Sequence, residues 1–350
     1  MSRNFNPLLL LAAMLFPLAS CTSTEILDTD TQNHGSLVSL TIAAPGVYNF
    51  GSSTRADDQH QLRLVARLYS TSDPTTVIQT KEDVANSSET TIQFSIENTG
   101  KYFVTVFADY IDKNVSPDDK GHYPDKYYNT TEPGKVTTLT NSTAEGATSL
   151  TNFFNNDNRD CFAGKIVFEK GLNVVSQNLT LKRPVCKVQV AAPNNNVATL
   201  VESLTITECS HLDSFSFALD ESDKTGTLTP AAEGASITAT DLTLSNENTK
   251  ISSPTDDSLF YFYTFGGEAN DDNRPALGNL TFELASLNDI KLDNDTRTIA
   301  QGLIKPAPNY RVTIKGGNNW ISAKPGGDDI TVIFDGLEDW NNTPSNVTYP

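Results

Sequence analysis

Apolar and polar residues alternate with a period of two along most of the chain, which is the pattern of half-buried β-strands. In one such run Leu62, Leu64, Ala66 and Leu68 occupy every second position. Runs of the same kind occur at residues 37–43, 62–69, 92–96, 102–108, 166–168, 174–181, 185–190, 204–207, 215–219, 237–244, 259–265, 280–287, 310–314 and 330–334. No long helical period is evident. The pattern therefore predicts an all-β protein with few short helices.

The spacing of these strands indicates their arrangement. Short strands between turns rich in Asn, Asp, Gly and Pro favour β-sandwiches. The turn Asn98-Thr99-Gly100 joins two alternating runs, so residues 92–108 are predicted to form a β-hairpin. Polar loops are expected at residues 112–130 and 141–160. The polar stretch 220–226 predicts a boundary between an N-terminal domain, residues 37–220, and a C-terminal domain, residues 221–350.

The N-terminus has the composition of an export signal. Arg3 is the only charged residue among the first 20, and a mostly apolar run covers residues 8–19. That run is shorter than the roughly 20 residues that a transmembrane helix needs. It ends in Leu18-Ala19-Ser20-Cys21, which resembles the lipobox of bacterial lipoproteins. The alternative is an ordinary signal peptide followed by an incidental cysteine.

The lipoprotein interpretation fixes the expected location. Residues 1–20 would be removed, Cys21 would carry the acyl chains, and the polar residues 21–36 would form a tether. Thr22 replaces the aspartate that retains lipoproteins in the inner membrane. We therefore expect a surface-exposed protein of the outer membrane.

Charge narrows the possible partners. The chain of 350 residues has a formal net charge of −18. Such an acidic surface repels the phosphate backbone, so nucleic acid is excluded as a partner. The same charge favours solubility.

Three cysteines remain after Cys21: Cys161, Cys186 and Cys209. Two interpretations are open, namely buried free thiols or one disulfide with one thiol left over. The chain has no Cys-x-x-Cys pattern, so neither a zinc site nor a redox pair is predicted.

No motif for catalysis is present. The four histidines lie outside any His-Glu-x-x-His pattern, and the chain has no Gly-x-Ser-x-Gly or phosphate-binding loop. The acidic pairs at 118–119, 271–272 and 328–329 lack the ligand spacing of a calcium loop, which favours solvated loop charges over a metal site. We expect no enzyme activity, no cofactor and no metal.

One loop is rich in aromatic residues. Tyr123, Tyr127 and Tyr128 lie close to Asp118 and Asp119. Such a loop could bind a sugar or a protein partner. It could equally pack its own rings onto the sandwich.

Five segments together resemble the fimbrillin-type lipoproteins of Bacteroidales, the subunits of type V pili. They read STRADD at 53–58, YFVTVFADY at 102–110, DCFAG at 160–164, VSQNLTLKRPVCKV at 175–188 and NYRV at 309–312. Their order behind the lipobox covers most of the mature chain. Cys186 stands where the family usually has alanine.

The resemblance implies two transthyretin-like β-sandwich domains in tandem and assembly by donor-strand exchange. An arginine-specific protease would cut after Arg55 and release the first strand, and a strand from the C-terminal end of the next subunit would take its place. The removable strand would be carried by Leu37, Val38, Leu40 and Ile42. The donor strand would be carried by Ile330, Val332 and Phe334. The alternatives are an arginine that is never cut and an ordinary last strand.

These observations predict a structural or accessory subunit of a cell-surface fimbria, serving adhesion. Its partners would be other fimbrial subunits, together with the outer membrane through acylated Cys21 before cleavage. The second hypothesis is a surface lipoprotein that does not polymerise and binds a glycan or a host protein. The tail after residue 336 departs from a simple terminal strand, which leaves stalk, tip and anchor roles open.

Overall fold

The computed structural model describes residues 36–44, 59–85, 87, 89–140, 153–192, 198, 201–217, 219, 228–230, 235–237, 242–245, 258–267, 275–286, 296–316, 330–336 and 345–348. These ranges contain 21 β-strands and a short 3-10 helix, Asp157–Arg159. The all-β prediction is therefore confirmed. No helix among these residues is both long and apolar enough to cross a membrane.

The strands form five sheets. The first has the order β4(Glu89–Ser95), β1(Leu37–Ala43), β9(Val175–Thr180). The second has the order β3(Asp73–Val84), β2(His60–Ser70), β5(Gly100–Asp112), β8(Cys161–Lys170). The third has the order β13(Leu228–Pro230), β12(Ser214–Phe217), β7(Lys135–Thr138), β6(Tyr128–Asn129). The fourth has the order β16(Ser258–Phe265), β10(Val185–Ala191), β19(Tyr310–Gly316), β20(Ile330–Gly336), β21(Ser345–Thr348). The fifth has the order β14(Ala235–Ile237), β11(Val201–His211), β17(Leu280–Ser286), β18(Thr296–Ile299), and β15(Leu242–Ser245) also pairs with β11.

The first two sheets differ in how many faces they bury. In β1 and β4 buried side chains alternate with more exposed ones, whereas nearly all residues of β2 and β5 are buried. The second face of the second sheet is covered in part by the third sheet, since Phe107 lies 5.8 Å from Phe215 between ring centroids. This cover explains why charged residues of β2 are also buried.

The predicted hairpin at residues 92–108 is wrong. β4 pairs with β1, and β5 pairs with β2 and β8, so the turn between β4 and β5 crosses from one sheet to another. Alternation shows that each strand has a core-facing side, but it does not show which neighbour supplies the hydrogen bonds.

The strands change partners after β9. The first two sheets use only strands up to Thr180, whereas β10 and β11 pair with strands beyond residue 234. Residues Gly35–Pro350 form one compact unit. The division into two domains near residue 220 stays a prediction.

Candidate functional site at the first strand

The first strand lies in the middle of its sheet. β1 pairs antiparallel with β4 and parallel with β9, with Leu40 opposite Ile92 and Gln177. The pairing continues past both ends of β1, where Ile96 N donates to Ser36 O at 2.7 Å and Leu181 N donates to Ala43 O at 2.8 Å. β1 is therefore the only hydrogen-bonded link between β4 and β9 among the described residues.

Three of the four predicted apolar side chains of β1 face the core, and Leu37 lies on the opposite side of the strand. Val38, Leu40 and Ile42 have exposed fractions of 0%, 1% and 2%, and Leu37 is half-buried. Burying three aliphatic side chains of this size contributes about 4.5–9 kcal/mol. Loss of β1 would open an apolar groove of the same length, with an unpaired backbone edge on β4 and another on β9.

Truncation of Leu40 tests the contribution of this strand. We expect Leu40→Ala to lower the free energy of unfolding by about 2–5 kcal/mol, because it leaves a cavity in the core. Urea unfolding measures the change. Thr41→Ala is the matched control, since Thr41 is only half-buried and its hydroxyl contacts Thr91 at 3.4 Å on the exposed side. The control should change stability by less than about 0.5 kcal/mol, and equal losses for both variants would contradict the packing argument.

Arg55 and Cys21 lie outside the described residues, so cleavage and lipidation there stay predictions. The other arginines bear on the cleavage prediction. Five of the six described arginines are at most 8% exposed, and they are Arg63, Arg67, Arg159, Arg183 and Arg297. The sixth, Arg311, is half-buried in β19 and paired on both sides.

Arg274, also outside the described residues, is followed by Pro275. The bond before a proline is a poor protease substrate because the proline nitrogen is fully substituted. Every arginine beyond the signal sequence other than Arg55 is therefore buried, paired within a sheet or followed by proline.

The predicted donor strand lies inside a sheet. β20 pairs antiparallel with both β19 and β21, with Val332 opposite Ile314 and Val347. Ile330, Val332 and Phe334 alternate along it and so share one face of the strand. β20 would have to leave the fourth sheet before it could enter another subunit. Its role as a donor stays a prediction.

The aromatic loop packs onto the sandwich. Tyr127 and Tyr128 are 3% and 2% exposed, whereas Tyr123 is half-buried. The Tyr128 ring meets Phe107 edge-on at 5.5 Å, and its hydroxyl donates to Arg159 O. Of the two interpretations of this loop, the packing of its own rings onto the sandwich is therefore the one that the burial of Tyr127 and Tyr128 supports.

Beneath this loop lies an ionic cluster that the sequence did not predict. Arg63 donates through Nε and Nη2 to the two carboxylate oxygens of Asp109, both at 2.9 Å, and both side chains are fully buried. Nη1 of Arg63 lies 2.8 Å from Asp125 and 3.9 Å from Glu82. Glu82 in turn contacts His122 Nδ1 at 2.6 Å. These five residues are called the ionic cluster below.

Burial and charge act against each other in the cluster. Burial raises the pKa of Asp109 to about 6, although the facing guanidinium of Arg63 lowers it. Burial alone would lower the pKa of Arg63, but Asp109 and Asp125 outweigh burial and raise it. The only signal in the sequence was Arg63 at an outward position of an apolar strand, which is typical of a solvent-exposed face.

Cys161, Cys186 and Cys209 are all buried and none of them forms a disulfide, which agrees with the interpretation as buried thiols. Burial raises the pKa of the Cys161 and Cys209 thiols well above the ordinary value. No group of three His, Cys, Asp or Glu side chains within the described ranges could hold a metal ion.

Comparison with known proteins found one matching family model and a set of similar solved structures. Residues 30–265 match the model of a family described as a family of unknown function, DUF6562. No curated protein sequence matches the chain.

Three solved structures illustrate the structural likeness. A fimbrilin of Porphyromonas gingivalis W83 is 12% identical, with 86% of this chain and 96% of that chain covered and a TM-score of 0.41. A fimbrial assembly protein of Parabacteroides distasonis is 12% identical, with 88% and 98% covered and a TM-score of 0.40. The fimbrial anchor protein Mfa2 of Porphyromonas gingivalis is 10% identical, with 86% and 98% covered and a TM-score of 0.37. All three are fimbrial proteins, the class of protein that the sequence segments resemble.

Proposed function

This chain belongs to the DUF6562 family, and we propose that it is a subunit of a cell-surface fimbria that assembles by strand exchange after proteolysis and serves adhesion. Its partners are other fimbrial subunits, of the same or another kind. The role is structural, and no catalytic step is assigned to the chain.

The position of β1 is the observation that carries the proposal. It is the first described strand, it lies between two others, and its three core-facing side chains are at most 2% exposed. The segment that follows it, residues 45–58, contains Arg55. A cut in that segment separates β1 from the rest of the chain without breaking any other strand that the structure describes.

The groove left by β1 would bind another strand through backbone hydrogen bonds and apolar contacts. A donor strand would restore backbone hydrogen bonds on both β4 and β9, at about 0.5–1.5 kcal/mol net for each bond. Its alternate side chains would fill the places of Val38, Leu40 and Ile42. The period of two along the groove thus selects strands with apolar residues at every second position.

The C-terminal strand β20 is our candidate donor, since Ile330, Val332 and Phe334 supply that period. In the described structure β20 is paired on both sides. Donation therefore requires β20 to exchange its two neighbours, β19 and β21, for β4 and β9 of the next subunit. β20 has two strand neighbours before and after the exchange. The free-energy difference between the unassembled and the assembled subunit is therefore small compared with the cost of losing a strand.

Export places the subunit on the outer membrane before assembly. Residues 1–20 act as the signal, and acylated Cys21 holds the protein at the surface through the tether of residues 21–36. A cut after Arg55 removes Cys21 together with β1. Release from the membrane and opening of the groove are then one event.

The glycan hypothesis is less well supported by the structure. It relied on Tyr127 and Tyr128 as rings that could stack on a sugar, and both are buried. Tyr123 alone keeps partial exposure. A single half-buried ring is a poor platform for a carbohydrate.

The deciding experiment is intact mass and N-terminal sequencing of the protein from the cell surface, together with gel electrophoresis of unheated samples. A chain that begins at Ala56 and migrates as a ladder supports strand-exchange assembly. A chain that begins at acylated Cys21 and migrates as a monomer would overturn it. In that case an anchor subunit or a binding lipoprotein would be the better description.

A further inference from the structure

The downstream flank of residues 45–58 is held firmly. Lys113 N donates to Gln59 O at 2.7 Å, and Lys126 Nζ lies 2.8 Å from His60 Nε2. The Tyr127 hydroxyl lies 3.0 Å from the same nitrogen. Lys126 also donates to Asp112, at the end of β5. Residues that start β2 are thus bound by residues 113–130, which we call the clamp loop.

The clamp loop is itself fixed to two strands. Arg63 of β2 donates to Tyr123 O at 2.9 Å and pairs with Asp125 at 2.8 Å. Glu82 of β3 accepts from Tyr123 N at 3.0 Å. Because Arg63 and Glu82 are almost fully buried, these contacts are shielded from water and hold the loop closely.

None of these described contacts involves β1. On the upstream side, residues 45–58 follow β1. Among the described strands, β1 is hydrogen-bonded to β4 and β9. The two flanks are therefore attached to different layers of the molecule. β1 can therefore leave its sheet while the start of β2 stays in place.

We propose that the clamp loop fixes the start of β2 during maturation and so confines arginine-specific cleavage to residues 45–58. This inference rests on the proposed cut after Arg55. Without the clamp, β2 would fray from its new N-terminal end inward and expose Arg63 as a second cleavage site. With it, Arg63 remains buried, and release of β1 leaves the other sheet of the sandwich intact. Lys126 and Asp125 are positioning residues, since they act through their contacts with His60 and Arg63.

The test uses the full chain with the double substitution Asp125→Asn and Lys126→Met. Glu132→Gln with Lys135→Met is the matched control, because it changes the same charges in an exposed pair separated by 3.8 Å. In the clamp variant we expect amide hydrogen exchange at residues 59–63 to be about tenfold faster or more. After digestion with an arginine-specific protease, intact mass should show chains that begin at Leu64. The control and the wild type should give only chains that begin at Ala56.

A measurement on the wild type alone covers the case in which the variant fails to fold. Amides of residues 59–63 should stay protected in the cut protein after β1 has been displaced by an excess of a peptide with the β1 sequence. Loss of that protection overturns the proposal, and so does a clamp variant that exchanges and cleaves like the control. If no cut occurs after Arg55, the assembly proposal fails, whereas exchange in the uncut variant still decides the clamp.

Discussion

Replacing Arg55 with alanine should leave the chain intact under an arginine-specific protease and should abolish the ladder of polymers. The arginines that the structure describes are buried or paired within a sheet, and Arg274 precedes Pro275. Cleavage at position 55 should fall on the order of 10⁴-fold, because the carboxylate in the protease pocket is left without its partner. Intact mass over a time course of digestion measures the effect.

Two companion variants make this result specific. Arg274→Ala should be cut like the wild type. This result would show that the loss of cleavage is specific to Arg55 and does not follow from removing any arginine. Arg55→Lys should resist the arginine-specific enzyme but yield to a lysine-specific one, and polymers should then return. Polymers that still form from Arg55→Ala would place the maturation cut elsewhere.

Replacing Arg63 with methionine should lower the free energy of unfolding by about 3–5 kcal/mol at pH 7. The substitution keeps an apolar stem in the same space but leaves Asp109, Asp125 and Glu82 facing one another without their shared cation. Urea unfolding followed by fluorescence or circular dichroism gives the difference.

The loss should be smaller at pH 5 than at pH 7. Burial raises the pKa of Asp109 to about 6 even with Arg63 present, and without that cation the pKa rises further. A carboxyl whose pKa is raised on folding contributes stability that is complete below its unfolded value and is lost as pH rises through the folded value. The variant therefore loses more stability than the wild type between pH 5 and pH 7.

Lys135→Met is the control for this pH dependence. Lys135 pairs with Glu132 at 3.8 Å, with side chains 39% and 66% exposed. An exposed pair contributes at most about 1 kcal/mol, so the control should change stability little at either pH. A loss in Arg63→Met that is equally small, or that is independent of pH, would mean that the cluster is not a buried, charge-balanced unit.

Most of the longer β-strands with a buried face could be predicted from the sequence. Five strands of two to four residues and the longer strand β3 were missed, and the five short ones are β6, β7, β13, β18 and β21. β1 and β4 match the alternating runs that defined them. β3 was missed, although it has 12 residues, because it is an edge strand whose side chains are largely exposed or half-buried. Without a buried face, a strand has no period in hydrophobicity.

Strand partners were also beyond the sequence. Residues 92–108 read as a hairpin because two alternating runs flank a turn with Gly100, yet β4 and β5 belong to different sheets. The same alternation arises whether a strand pairs with its sequence neighbour or packs against it across a core. Only the positions of β1 and β2 distinguish the two cases.

The sequence by itself determined the all-β class, the core-facing residues of β1 and the position of Arg55 in the segment after that strand, because these depend on local period and order along the chain. The tertiary structure alone decided that β1 lies between β4 and β9, that Tyr127 and Tyr128 are buried, and that Arg63 meets Asp109 and Asp125. The strand pairings and ion pairs among those features join residues 46 to 137 positions apart. Contacts between residues so far apart in sequence depend on how the sheets pack against one another, and this packing cannot be read from a short stretch of sequence.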